Sequence, residues 1–184
     1  MKHVMIDLET LGTGPDAVII QIGACYFDPG TGEIGEKFSI NVDAKSAVAS
    51  GAKMDADTVY WWLSQSKEAV ASILAEPRED IKSAFLKLND FLANAQQIWS
   101  HATFDFVIIS QTFMRLNIKP SFPYKAARDI RTLIQLAGSI TVDNTARLGT
   151  HHNGLDDALH QVNYCVLALN KIKKRMETSP SKKV

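Results

Sequence analysis

The sequence predicts an α/β fold: a mixed five-stranded sheet, its first three strands antiparallel, flanked by helices. Three observations predict it. Apolar residues alternate or run continuously through the first 42 positions, broken only by short Gly- and Pro-containing turns. Helical spacing takes over from Asp57. Short apolar stretches then return between the helices, the order expected of a layered fold with parallel additions to its sheet.

Val4 to Thr10 reads as the first strand, with Val4, Ile6 and Leu8 on one face and Met5, Asp7 and Glu9 on the other. Leu11 to Pro15 is a turn, and Val18 to Phe27 a buried strand rich in branched residues. Asp28-Pro29-Gly30-Thr31-Gly32 closes a hairpin onto a third strand, Ile34 to Val42. Asp57 to Leu63 and Lys67 to Leu74 are short helices ending near Pro77. Ile81, Ala84, Phe85, Leu88, Phe91 and Leu92 stripe a longer one. Gln97 to Ser100 is a fourth strand, Phe104 to Leu116 a helix, and Lys125 to Ala127 a fifth strand feeding a helix through Ala137. Gly138 to Thr150 has loop composition, and a last helix spans Leu155 to Lys174.

At 184 residues, 46% hydrophobic and 22% charged, the chain has the size and composition of one soluble domain. We place that domain at residues 1–175 and a frayed tail at 176–184. A formal net charge of zero excludes a strong global field for nucleic acid but leaves open a site whose positive charge is bound metal. Cys25 and Cys165 sit among apolar neighbours and read as buried thiols rather than a bridge. No apolar run approaches a membrane span and no leader precedes the first strand, so a cytoplasmic location is expected.

Asp7 and Glu9 share one face of an apolar strand. Two buried carboxylates repel and lack water, so they protonate unless a cation compensates, and hard divalent ions take oxygen ligands. Asp105 follows a short strand at a helix start, where it can also serve the helix dipole. His151-His152-Asn153-Gly154-Leu155-Asp156-Asp157 carries His-x-x-x-x-Asp twice in tandem. Stepping about 100° per residue along the last helix puts Asp157 at the border of its apolar stripe and turns Asp156 toward solvent. His152 pairs with Asp157 by spacing; His151 remains its rival. Trp61 and Trp62 cannot both face the core, so one is left to offer a face to a base, with core packing or a dimer contact as the alternatives, and Trp62 is taken as a substrate contact. Asp129 reads as a helix cap.

In order, Asp7-Leu8-Glu9-Thr10, Ala102-Thr103-Phe104-Asp105 and His152 to Ala158 resemble the three motifs of the DEDDh 3′-to-5′ exonucleases of the ribonuclease H-like superfamily. Asp57-Thr58-Val59-Tyr60-Trp61-Trp62 is similar to the small phage exonuclease A and bacterial exoribonuclease branch. The resemblance implies a ribonuclease H-like fold and a hydrolase that removes nucleoside 5′-monophosphates from single-stranded DNA or RNA 3′ ends. It implies that Asp7, Glu9, Asp105 and Asp157 hold two Mg²⁺ or Mn²⁺ ions and that His152 is the general base. Thr10 and Leu11 would floor the terminal nucleotide, with a possible homodimer as the assembly. His101 stands where many members carry Asn as a substrate contact. The alternatives are a metal-dependent endonuclease of the same superfamily and a non-catalytic nucleic-acid-binding module.

Overall fold

The computed structural model describes residues 1–138, 140, 147 and 149–178. In chain order the elements are β1 (His3–Thr10), β2 (Ile19–Phe27), β3 (Ile34–Val42), α1 (Ala44–Ala49), α2 (Ala56–Leu63), α3 (Lys67–Leu74) and β4 (Arg78–Glu79). There follow α4 (Ile81–Phe91), β5 (Gln97–Ser100), α5 (Asp105–Arg115), β6 (Ala127–Asp129), α6 (Ile130–Ala137) and α7 (Gly154–Thr178). The strands form one mixed sheet ordered β4-β3-β2-β1-β5-β6. β1, β2 and β3 are antiparallel, whereas β5 and β6 run parallel to β1 and β4 runs parallel to β3.

The sheet has six strands, not the five expected. The extra one, β4, is two residues long and too short to show any period. The six-residue α1 was also unread, although Asp43 caps it by accepting from Lys45 N and Ser46 N. The last expected strand lies two residues further on, because Tyr124–Ala126 forms a single 3₁₀ turn first. The expected tail at 176–184 is helical as far as Thr178, and its remainder lies outside the described residues. So does most of the expected loop between Gly138 and Thr150, namely 139, 141–146 and 148.

Alternation along β1 divides the core between the two faces of the sheet. Val4, Ile6 and Leu8 join Phe85, Leu88, Ile108, Ile109 and Phe113 beneath α4 and α5. Met5 joins Cys25, Phe27, Ile130, Leu133 and Val162 beneath α6 and α7. Each fully buried side chain of this size contributes roughly 1.5–3 kcal/mol. Both cysteines are buried free thiols, pushed up to about 12 by desolvation. Among the described residues, no helix is long and apolar enough to cross a membrane.

Two features of this frame matter for function. β1 pairs with β5 only from His3 to Met5, so the strands part beyond that point and leave a crevice at their C-terminal ends. Such a crevice is where open α/β sheets bind ligands. α7 crosses β2 at Gly23 so closely that a Cβ there would lie 2.0 Å from the Gly154 carbonyl carbon. Only glycine permits that approach, and it brings the first turn of α7 down onto β1.

Candidate active site

Asp7 and Glu9 emerge from β1 on the α7 side, 8% and 6% exposed respectively. Asp157, in the first turn of α7, meets them there at 8% exposure. One carboxylate oxygen from each lies within 4.8 Å of the others. Asp105 opens α5 across the crevice; it accepts from Leu8 N at 3.1 Å and His101 N at 3.0 Å. It thereby links β1 to the end of β5. An oxygen from Asp105 also lies within 4.8 Å of ligand atoms on Asp7 and His101. All four acids predicted from sequence therefore line one cavity of about 370 Å³.

Burial dominates the electrostatics. It raises Asp7 well above the ordinary carboxylate range, helped by Asp105, Glu9 and Asp157 and opposed by a hydrogen bond from Gln161 Nε2 to Oδ1 at 2.6 Å. Glu9 is pushed up to about 8 by burial, then by Asp157 and Asp105. Asp105 rises to about 7 through burial, against the backbone N–H groups that stabilise its charge. Glu9 Oε1 is buried with no hydrogen-bond partner among the described residues. Such an orphaned acceptor costs free energy unless a cation or donor meets it. The all-oxygen set Asp7, Glu9 and Asp157 fits a hard divalent ion, which would relieve the repulsion and the orphan together.

His152 sits before α7 at φ 63°, a left-handed conformation uncommon outside glycine. Its backbone N–H donates to Asp157 Oδ2 at 3.1 Å. Its ring packs edge-on against Trp61 at 4.8 Å and stacks with His151 at 3.8 Å. Burial, then His151, lowers the imidazole's pKa against the pull of Asp157. The helix phase separates the tandem acids as expected: Asp156 is half-exposed and accepts from Thr150 N, while Asp157 is buried. Asp129 caps α6 through Thr132 N and also accepts from Ala102 N at 3.0 Å.

A second cavity of about 550 Å³ adjoins the first, sharing Leu8, Glu9 and Phe104 with it and adding Thr10, Trp61 and Trp62. Thr10 Oγ1 donates to Gly12 O at 2.7 Å, shaping the turn. Leu11 is not in this lining; its side chain packs against the main core. Both tryptophans line this cavity, and they differ in exposure. Trp62 is 4% exposed, its indole N–H donating to Thr10 O at 2.8 Å, whereas Trp61 is 43% exposed. The open stacking face is thus that of Trp61, because α2 turns Trp62 inward. His101 lines the acid cavity. Burial and Arg131 lower it to about 4, so it is neutral at pH 7 and its 3.9 Å approach to Asp105 is no ion pair.

Sequence reasoning missed four contributors. Arg147 pairs with Asp157 Oδ1, and Gln161 holds Asp7. His160, 4% exposed, lines the cavity with neither ring nitrogen bonded among the described residues. Gln21 Oε1 accepts from Gly154 N at 2.6 Å while its Nε2 donates to Asn41 Oδ1, fixing the start of α7. Only Gln161 carried a readable signal: it lies four residues after Asp157, on the same helical face.

Comparison with known proteins places this arrangement. The exodeoxyribonuclease of Enterobacteria phage T4 is 33% identical over 128 residues, covering 59% of this chain and 54% of the phage protein. The chain therefore spans about half the length of that relative. The fold is similar to E. coli exonuclease I, solved with a dT13 oligonucleotide, at a TM-score of 0.68 and 14% identity. That likeness covers 95% of this chain and 42% of the exonuclease. A product-bound structure of exonuclease I gives a TM-score of 0.61 at 15% identity, over 95% of this chain and 44% of the other. Residues 2–169 match the 3′-5′ exoribonuclease Rv2179c-like domain, and with the acids and histidine in order along one crevice the chain belongs to that family, of the DEDDh 3′-5′ exonuclease type.

Proposed function

We propose that this chain is a metal-dependent 3′-5′ exonuclease that shortens single-stranded nucleic acid from its 3′ end and releases nucleoside 5′-monophosphates. The observation that carries the reading is the buried meeting of Asp7, Glu9 and Asp157, with one Glu9 oxygen left without a partner among the described residues. Asp7, Glu9 and Asp157 would hold one Mg²⁺ or Mn²⁺, and Asp105 with Asp7 would hold a second. Bound there, such ions neutralise the carboxylates and supply Lewis acidity to the phosphoryl oxygens of an in-line displacement.

The chain's own residues do the rest. His152, with its pKa lowered, is neutral at pH 7 and accepts the proton of the attacking water. The Trp61 edge and the His152–Asp157 backbone bond hold that imidazole over the carboxylates. Arg131 and Arg147 line the same cavity and draw the phosphate in. The adjoining cavity receives the terminal nucleoside, with Trp61 and Phe104 as apolar walls for the base and Thr10 at the turn. Asp105 and Gln161 keep β1 in register with the helices on either side while the strand end moves through.

The test is a time course on 5′-end-labelled single-stranded RNA and DNA of matched sequence with Mg²⁺ or Mn²⁺. A ladder descending by single nucleotides is expected in at least one sugar, stopped by EDTA and absent in Asp7→Asn. His152→Ala should lower turnover by about 10²–10⁴ with substrate binding kept, the range for a positioned general base. Internal cuts, or no cleavage of either strand, would overturn the proposal.

A further inference from the structure

The tandem histidines form a second group of ligands beside the acids. Adjacent residues in extended chain point their side chains apart. The left-handed turn at His152 cancels that divergence and leaves the two rings stacked at 3.8 Å and 24° on one side of the loop, close enough that rotation of the side chains would aim a nitrogen of each at one ion. One nitrogen from each ring and one oxygen of Asp157 lie within 4.8 Å of one another. Trp61 meets the His152 ring at 4.8 Å in an edge-to-face arrangement. His151 is exposed and borders the cavity, so the group opens to solvent.

We propose that His151, His152 and Asp157 form a binding site for a zinc-like transition-metal ion, and that its occupation switches off the neighbouring acid site. Two imidazoles and one carboxylate are a donor set that zinc favours, with a fourth position left for water. The group Asp7, Glu9 and Asp157 offers oxygen alone, which suits harder ions. Asp157 belongs to both groups. An ion on the histidine side therefore withdraws a carboxylate from the acid group and occupies the lone pair with which His152 would accept a proton. The Arg147 guanidinium, paired with the same carboxylate, would compete with such an ion. The switching consequence rests on the nuclease reading; the ion site does not.

The test uses the full chain and Zn²⁺ itself, with Co²⁺ as a visible reporter, in millimolar Mg²⁺. Calorimetry should show one Zn²⁺ bound per chain in the presence of Mg²⁺, and Co²⁺ should give the visible bands of a four-coordinate site. His151→Ala should weaken Zn²⁺ by at least about 10–100-fold, the loss that even outer partners of a ligand cause. The Mg²⁺-induced rise in Tm should persist in that variant, showing that the acid group is intact. Equal Zn²⁺ affinity in wild type and His151→Ala would overturn the site. Zinc should also suppress mononucleotide release by wild type far more than by His151→Ala, each measured against its own zinc-free rate. Zinc bound but without effect on a working nuclease would overturn the switch. A wild type that never cleaves in Mg²⁺ would instead overturn the nuclease reading, and the titration would still decide the site.

Discussion

At the scale of single residues, the site is a contest over how to neutralise crowded carboxylates. Arg147 already serves Asp157, with its side chain about one-third exposed. With the guanidinium reached by solvent and the Asp157 carboxylate buried, the pair is worth at least the ~0.2–1 kcal/mol of an exposed one. A divalent ion on Asp157 would compete with it, so Arg147→Gln should tighten Mg²⁺ by at least about 1.5- to 5-fold by calorimetry while raising KM for the oligonucleotide. Weaker Mg²⁺ binding in the variant would show that the arginine supports the metal rather than competing with it. The acids were legible because Asp7 and Glu9 alternate with Val4, Ile6 and Leu8, which fixes their face. Arg147 was not, because its segment has no period to assign a direction. The tryptophan pair exposed a similar limit. Adjacency says that one faces inward, but only the packing of α2 against the turn at Thr10 says which.

At the scale of elements, the approach of α7 to β2 decides whether the acids meet. Gly23→Ala would press a methyl against the Gly154 backbone, which cannot rotate away as a flexible side chain could. Overpacking of this kind costs about 1–3 kcal/mol, and backbone contact puts the expectation at the upper end. Urea unfolding should show that loss, and Mg²⁺ affinity should fall with it because Asp157 rides on the same turn. Loss of stability with metal affinity unchanged would mean that the methyl is accommodated without displacing the turn that carries Asp157. The helix phase of α7 was readable from its long apolar stripe, and it separated Asp157 from Asp156. The two-residue β4 and the six-residue α1 were not, since each is held by its neighbours rather than by its own pattern. Asp105 lay between the two cases: sequence allowed a simple helix-start acid, and only the parting of β1 from β5 makes it reach Leu8 N.

At the scale of the whole molecule, the site is stabilised by protons when metal is removed. Glu9 rises from 4.5 to about 8 and Asp105 from 3.8 to about 7, so the folded state binds more protons than the unfolded one across that window. Their contribution to stability is complete below about pH 4 and is lost as pH rises toward 8. Thermal melts in EDTA should show Tm falling from pH 5 to pH 8, and saturating Mg²⁺ should flatten or reverse the slope. A metal-free Tm that rises across this range would remove the argument for repulsion. Most of the sheet was legible because its first three strands are local hairpins, whereas the contacts that close the site are not local. Asp7 and Gln161 meet across 154 residues, and Gln21 and Gly154 across 133. A chain emerging from the ribosome therefore presents Asp7 and Glu9 first, Asp105 later and Asp157 last, so the four acids cannot meet until α7 has been made and has docked. Until that docking, the chain has no complete cluster with which to gather a divalent ion.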